Sequence, residues 1–371
     1  NILFLDIEVN RKGKIVDYGA LFNGQELHES HTTKLEQWII ESKIICGHNI
    51  IAHDIPELKK QLGQDIFNGK EYIDTLLWSP LLFPENPYHK LVKGYKIVNE
   101  SEANNPLSDC KLTRDLLIDE LNKFKNLSDD LQSALFFLLN DSIQFNCFFD
   151  LVGESFEGKI EALNQLLESK ICSSISIASL TENHPIELAY ALSLFQLDGE
   201  ESILPSWVKF SFPKSEELIE NIRFNSCEKD SCSHCSEKLN PRTSLLNFFG
   251  YDNFRKFDEG RSISLQEETV RAGLQNKSFV AVFPTGGGKS LTFQLPALMR
   301  GECTRHLTVV ISPLVSLMKD QVDNLQERFS ITRAVAINGL LSPLERQEAF
   351  DRVESGRAHI LYLSPESLRS P

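Results

Sequence analysis

The chain has 371 residues, 41% of them hydrophobic and 24% charged, with a net charge of -14. That size predicts two or three domains, and the composition excludes a disordered chain. The negative balance argues against a passive nucleic-acid coat, which needs a basic surface, but not against an enzyme that meets phosphate through metal and a local groove. No apolar run approaches the length of a membrane span, and no signal sequence opens the chain. The first residue is Asn and a core strand begins at once, so a missing N-terminus is expected.

In chain order, residues 2–9 and 13–22 read as strands. "WIIESKIICGHNI" predicts a helix end and a short strand, and "DIPELKKQLG" a helix with Asp54 at its start and Gly63 at its end. "YIDTLLWSPLLFP" is a strand-then-helix unit, and Leu112 to Phe149 turns helical. Residues 155–225 read as a helical connector, closed by the Cys/Ser/Lys-rich stretch "SCEKDSCSHCSEKLNP" at 226–241. Beyond it, "FVAVFPTGGGKSLTFQLPALM" predicts strand, Gly-rich loop and helix; "LTVVISPLVSLMKDQVDNL" repeats strand and helix; "HILYLSPESL" adds a strand. This alternation is the pattern of a parallel α/β sheet. The expected division is 1–150, 151–242 and 243–371.

Two acids, Asp6 and Glu8, flank one apolar residue in the first strand, so they share a face. Two carboxylates that close disfavour each other's ionisation, and hard divalent cations relieve this with oxygen ligands. Two such ions, about 4 Å apart, can clamp an in-line phosphodiester displacement. Asp54, Asp74 and Asp109 fall at helix starts or strand ends, where acids also serve as caps. Together "FLDIEV", "GHNIIAHD" and "NNPLSD" resemble the three motifs of the four-carboxylate (DEDD) 3′→5′ exonucleases, which have a ribonuclease H-like fold. The resemblance covers residues 1–150. It implies that Asp6, Glu8, Asp54 and Asp109 bind two Mg²⁺ or Mn²⁺ ions, with Asp74 in a supporting role. It departs at Asn104 and Asn105, where the family carries a His or Tyr that handles the proton of the attacking water; an amide is no base near neutral pH. His89, in "PYHKLVKGYK", is the candidate replacement.

In "FPTGGGKS", Gly286, Gly287 and Gly288 let the backbone turn its N–H groups toward an anion; Lys289 reaches phosphates and Ser290 ligates Mg²⁺, with Thr285 alongside. The strict pattern wants Gly where Phe283 stands. With "INGLLSPLERQEAF" and "ILYLSPESL", this region (244–371) resembles the opening motifs of RecQ-type superfamily 2 DNA helicases, a RecA-like motor domain binding ATP. "FFGYDNFRKFD…SLQEETV" resembles their adenine-recognition motif, implying Gln266, with Phe254 and Arg255, at the base; the Arg255–Gln266 loop is longer than usual. Ser312, Pro313 and Leu314 would touch single-stranded DNA. The family's Asp-Glu pair and second RecA-like domain follow the point where this chain stops. A C-terminal truncation is therefore expected, with weak ATP binding and no unwinding.

Cys227, Cys232 and Cys235 form a CxxC pair with a third Cys nearby, a pattern that fits Zn²⁺, with the fourth ligand open and His234 awkwardly adjacent. The expectation is a fused nuclease–helicase of bacterial DNA repair or recombination, cytoplasmic and nucleoid-associated. It would act on single-stranded 3′ ends and unwound duplex, with no membrane association and no protein partner indicated. The alternatives are a nuclease-like module that only guides DNA to the motor, and an RNA-directed nuclease–helicase.

Overall fold

The computed structural model describes residues 1–86, 88–91, 105–153, 156–168, 170–197, 203–227, 229, 231–256 and 263–369. The chain divides into two compact units, one of residues 1–166 and 181–193, the other of 167–180 and 194–371. The stretch 151–242, read from the sequence as one connector, is thus shared between them. No described helix is long and apolar enough to cross a membrane.

The first unit is built on a five-stranded mixed sheet in the order β3-β2-β1-β4-β5. β1 (Ile2–Val9), β2 (Ile15–Phe22) and β3 (Gln25–Glu29) run antiparallel; β4 (Ile44–Gly47) and β5 (Glu71–Asp74) continue parallel from β1. β1 is the centre. Its Leu3, Leu5 and Ile7 are buried and its Phe4, Asp6 and Glu8 half-buried on the other face, the alternation a strand requires. Crossover helices α1 (Thr33–Glu41) and α2 (Asp54–Leu62) connect β3 to β4 and β4 to β5. After β5 come α3 (Thr75–Leu82), α4 (Pro106–Lys125), α5 (Asp129–Leu139) and α6 (Asn146–Val152). Trp78 of α3 stacks on Phe148 at 3.8 Å and meets Phe124, Phe145 and Phe149 edge-on, an aromatic core for this helical layer. α7 (Ile160–Leu167), α8 (Ile177–Asn183) and α9 (Pro185–Phe195) carry the chain between the two units.

In the second unit, α10 (Ser206–Ser211), α11 (Lys214–Phe224), the short α12 (Ser233–Lys238), α13 (Pro241–Phe249) and α14 (Leu265–Leu274) precede the Gly-rich loop. α15 (Lys289–Thr304), β6 (Thr308–Ile311), α16 (Val315–Phe329), β7 (Ala334–Ile337), α17 (Pro343–Glu354) and β8 (Ile360–Leu363) follow it. The three strands are all parallel in the order β6-β8-β7, with Ile360 and Tyr362 of the central strand packed against Leu295, Leu298 and Met318. The parallel α/β pattern is therefore present.

One predicted strand is not. Phe279–Phe283 forms no ladder with any described strand. Its apolar character sufficed for the prediction, but a strand exists only through a neighbour's hydrogen bonds. Without one, Val280 and Val282 stand 91% and 80% exposed.

Candidate functional sites

The four carboxylates come from three elements. Asp6 and Glu8 lie opposite Gly19 and Asp17 across the β1–β2 ladder. On its other side, β1 pairs with β4 only from Ile2 to Phe4. The Ile7 N–H therefore lacks a ladder partner there, and the Asp54 Oδ1 takes it at 3.0 Å. Asp54 opens α2 and is only 2% exposed; burial holds its carboxyl above the ordinary range, against the pull of His53 and the Ile7 N–H. Asp109 sits in the first turn of α4. That helix starts on top of Gly19: a Cβ there would lie 2.2 Å from the Leu107 nitrogen and 2.3 Å from the Pro106 carbonyl carbon. Only glycine allows so close a backbone approach. The next residue, Cys110, donates its thiol to the Gly19 carbonyl at 3.2 Å. Burial, then the charges of Asp6, Asp54 and Asp109, push that thiol's pKa well up. Among the described residues, the four carboxylates do not form a close-set group of possible metal ligands.

Of the surrounding residues, Asp74 takes the structural role expected of it, while Asn105 and His89 are engaged in local contacts. Asp74 is structural: its carboxylate accepts from the backbone N–H groups of Asn49 (2.7 Å), Ile51 (3.1 Å) and Leu76 (3.0 Å), fixing the turn that leads to Asp54. Asn105 caps α4, its Oδ1 accepting from the Ser108 N–H, with Pro106 at the first helical position. Asn104 lies outside the described residues. His89 is buried, its Nδ1 on the Ser79 hydroxyl at 2.8 Å; burial and His48 lower its pKa to about 4. The sequence reading overlooked His53. Its Nδ1 lies 3.5 Å from the Asp54 Oδ2, its side chain is 47% exposed, and Asp54 first and Asp6 second among the acids raise its pKa. The signal was adjacency, since His53 immediately precedes Asp54.

In the second unit, the loop from Pro284 to Ser290 turns as its glycines predict. The Gly287 N–H bonds the Pro284 carbonyl at 3.0 Å, and Gly286 and Gly288 have φ of 74° and 72°, the region that favours glycine. Thr285 is exposed on the shoulder of that turn. Gly288 is the N-cap of α15, so Lys289 and Ser290 occupy its first turn, where free N–H groups and the helix dipole favour an anion. Gly286, Gly287, Gly288, Lys289 and Ser290 line a cleft of about 680 Å³. Gln266 reaches it from α14, 4% exposed and doubly bound: its Oε1 accepts the Arg255 N–H (2.9 Å) and its Nε2 donates to the Gly288 carbonyl (3.1 Å). The Arg255 guanidinium donates to the Gly286 carbonyl at 2.6 Å. Phe254, expected near the base, packs instead into the core at 7% exposure. Phe249, Tyr251 and Phe329 give the cleft its aromatic lining, with Tyr251 stacked at 8° on Phe249. Ser312, Pro313 and Leu314 follow the C-terminal end of β6, the end at which parallel α/β sheets place ligands.

Residues 263–370 match the DEAD/DEAH box helicase family. The chain is 40% identical over 128 residues to a probable ATP-dependent DNA helicase RecS of Bacillus subtilis, covering 34% of this chain and 23% of the relative. It is 40% identical over 132 residues to the ATP-dependent DNA helicase RecQ of Haemophilus influenzae (36% and 19%) and 40% identical over 103 residues to the ATP-dependent helicase SGS1 of Saccharomyces cerevisiae (28% and 7%). This chain therefore contains a helicase-type domain with RecQ-like relatives, and it spans less than a quarter of their length.

Four cysteines of the second unit form a separate group. Cys227, Cys232 and Cys235 converge as their spacing predicts, and a fourth, Cys172, joins them from far upstream. All four sulfurs lie within 4.8 Å of one another. His234 takes no part: its Nε2 is on the Arg223 carbonyl at 3.0 Å.

Proposed function

We propose that this chain is part of a RecQ-like ATP-dependent DNA helicase joined to a two-metal 3′→5′ exonuclease, acting in DNA repair or recombination. The observation that carries the motor half is the phosphate loop joined to Gln266, lying inside the segment that matches the helicase family. Its residues fit ATP with Mg²⁺: backbone N–H groups and Lys289 for the phosphates, Ser290 for the cation, Gln266 and Tyr251 for the base.

The nuclease half is supported by three placements: Asp54 accepts the Ile7 N–H of β1, Asp6 lies opposite Gly19, and the start of α4, which carries Asp109, packs on Gly19. With Glu8 these three acids form an all-carboxylate donor set, which suits Mg²⁺ or Mn²⁺. Such ions, when bound, supply Lewis-acid stabilisation to a phosphodiester displacement. The chain's own part is positional. The Ile7 N–H orients Asp54, the contact at Gly19 holds Asp109 beside β1, and His53 is placed to hold a proton next to Asp54.

The test is incubation of the purified chain with labelled single-stranded DNA and Mg²⁺ or Mn²⁺. Stepwise shortening from the 3′ end, lost in Asp6→Ala, is expected; shortening that survives Asp6→Ala refutes the assignment. A second reading, a DNA-guiding module without chemistry, is favoured by Asn105 serving as a cap, and it predicts binding without shortening. An RNA strand run in parallel fixes the substrate class.

A further inference from the structure

The thiol group in the second unit stands apart from both the carboxylates and the phosphate loop. Cys172, Cys232 and Cys235 are 1%, 6% and 5% exposed, and Cys227 is half-buried, with Ile175 and Leu239 packed around them. The Cys227 and Cys235 sulfurs are 3.8 Å apart. In a regular tetrahedron with metal–sulfur bonds of about 2.3 Å, the sulfurs lie about 3.8 Å from one another. A disulfide needs about 2.05 Å. The one spacing matches two ligands of such an ion, and the 4.8 Å that bounds all four sulfurs leaves room for no more than a small adjustment to bring the others to it.

One polar partner lies beside the group: the Ser174 hydroxyl is 3.1 Å from the Cys172 sulfur. A hydroxyl so placed is the kind of outer partner that thiolate metal sites carry. The turn that presents Cys172 is closed by the Ile175 N–H on the Cys172 carbonyl.

We propose that Cys172, Cys227, Cys232 and Cys235 hold a structural Zn²⁺ that fastens the turn at Cys172 to the segment leading into α13. Four thiolates leave no open position, so the ion is structural and not catalytic. Binding releases the thiol protons, and the free energy of binding becomes free energy of folding. The placement gives it a purpose. Residues 167–180 belong to the second unit, yet the chain leaves that unit at Thr181 and returns at Leu194. The buried residues of the segment, Leu167, Ile171 and Cys172, lie before α8, which has no buried residue. A clasp at Cys172 closes a long loop, where a cross-link saves the most chain entropy.

The test uses the full chain purified without chelator. Elemental analysis should find about one zinc per chain, and the protein denatured with chelator should titrate eight thiols, the number in the sequence. Exchange of Zn²⁺ for Co²⁺ should give the intense visible bands and sulfur-to-metal charge transfer of a tetrahedral four-thiolate site. Cys172→Ser should lose its metal to a mild chelator at least tenfold faster than the parent, and Cys303→Ser, a buried thiol outside the group, should retain it. Should Cys172→Ser not fold, the cobalt spectrum of the parent and that of Cys172→His, shifted toward a mixed N/S set, decide. Absence of zinc and cobalt with eight free thiols overturns the proposal. So do fewer than eight thiols, which would mean disulfides, and so does a Cys172→Ser protein that holds metal as firmly as the parent.

Discussion

Gly19→Ala tests the contact on which the carboxylate site depends. The added Cβ would lie 2.2 Å from the Leu107 nitrogen, 2.3 Å from the Pro106 carbonyl carbon and 2.5 Å from the Leu107 Cα. All three are backbone atoms, so no side-chain rotation relieves the overlap. Bringing the closest of them to ordinary van der Waals contact requires the start of α4 to retreat by roughly 1 Å or more. Overpacking of this kind costs about 1–3 kcal/mol, which for a unit of this size lowers the melting temperature by roughly 3–10 °C. Asp109 moves with the helix while Asp6, paired with Gly19 itself, stays in the sheet. A displacement of about 1 Å in a catalytic constellation costs on the order of a hundredfold in rate. The assays are thermal denaturation and metal-dependent shortening of a 5′-labelled strand. Gly339→Ala, where nothing lies within 4 Å, is the control and should change neither. A Gly19→Ala protein that melts with the parent refutes the packing argument. One that melts lower yet degrades DNA at the parental rate refutes the placement of Asp109 in the site.

Asp74→Ala leaves three backbone N–H groups without their carboxylate and should lower stability by about 3 kcal/mol or more in urea denaturation, with Asp74→Asn intermediate. Lys289→Ala should weaken binding of a fluorescent ATP analogue by about ten- to a hundredfold, the value of a lost charge-assisted hydrogen bond. His359 is buried with neither ring nitrogen partnered among the described residues, and burial followed by Arg333 and Arg305 lowers its pKa from 6.5 to about 3. The unfolded chain then binds the extra proton first, so this contribution is intact above pH 6.5 and is lost by about 1.4 kcal/mol per unit as pH falls toward 3; His359→Leu should flatten the acid limb of a stability profile. Glu120 runs the other way. It is fully buried and both its carboxylate oxygens lack partners among the described residues, so burial raises its pKa well above 4.5 and stability declines as pH rises from 4.5 through the folded value. Glu120→Gln should melt higher than the parent at pH 8 and converge with it toward pH 5, and parallel profiles would show that Glu120 is not held neutral.

Features set by local chemistry were legible in the sequence. The alternation of β1 announced that Asp6 and Glu8 share a face, and the glycines and lysine of 286–289 announced an anion loop. The Asn-Pro pair at 105–106 carried a cap signal as well as a position in a motif, and the cap is what Asn105 does. Features set by distant partners were not legible. β3 is a polar edge strand in which only Leu27 is buried, so its identity comes from pairing with β2 and not from its residues. Phe279–Phe283 has the residues of a strand and no described neighbour to make it one. Cys172 lies too far from the CxxC pair for spacing to connect them. Tyr251 and Phe254 are near-equivalent aromatics in sequence, and only packing assigns one to the cleft and the other to the core.

Gln266 shows why the nucleotide cleft acts as one device. Its single amide bonds the Arg255 backbone on one side and the Gly288 carbonyl on the other, while the Arg255 side chain crosses to Gly286. The base side of the cleft and the phosphate loop are therefore tied through three hydrogen bonds that share two residues. A primary amide has four hydrogen-bonding positions, and two are used here. On the proposed ATP reading, the remaining lone pair on Oε1 and the remaining hydrogen on Nε2 would form an acceptor–donor pair, which matches the exocyclic amine and ring nitrogen on one edge of adenine. Guanine offers an acceptor where adenine offers that amine, so the same pair would meet it oxygen to oxygen. A mismatched base must then either forgo the amide or rotate it. Rotation breaks the Gly288 contact at the N-cap of α15, immediately before Lys289. On that reading, base discrimination at Gln266 would become a constraint on the phosphate loop, through the same atoms that hold the loop in shape.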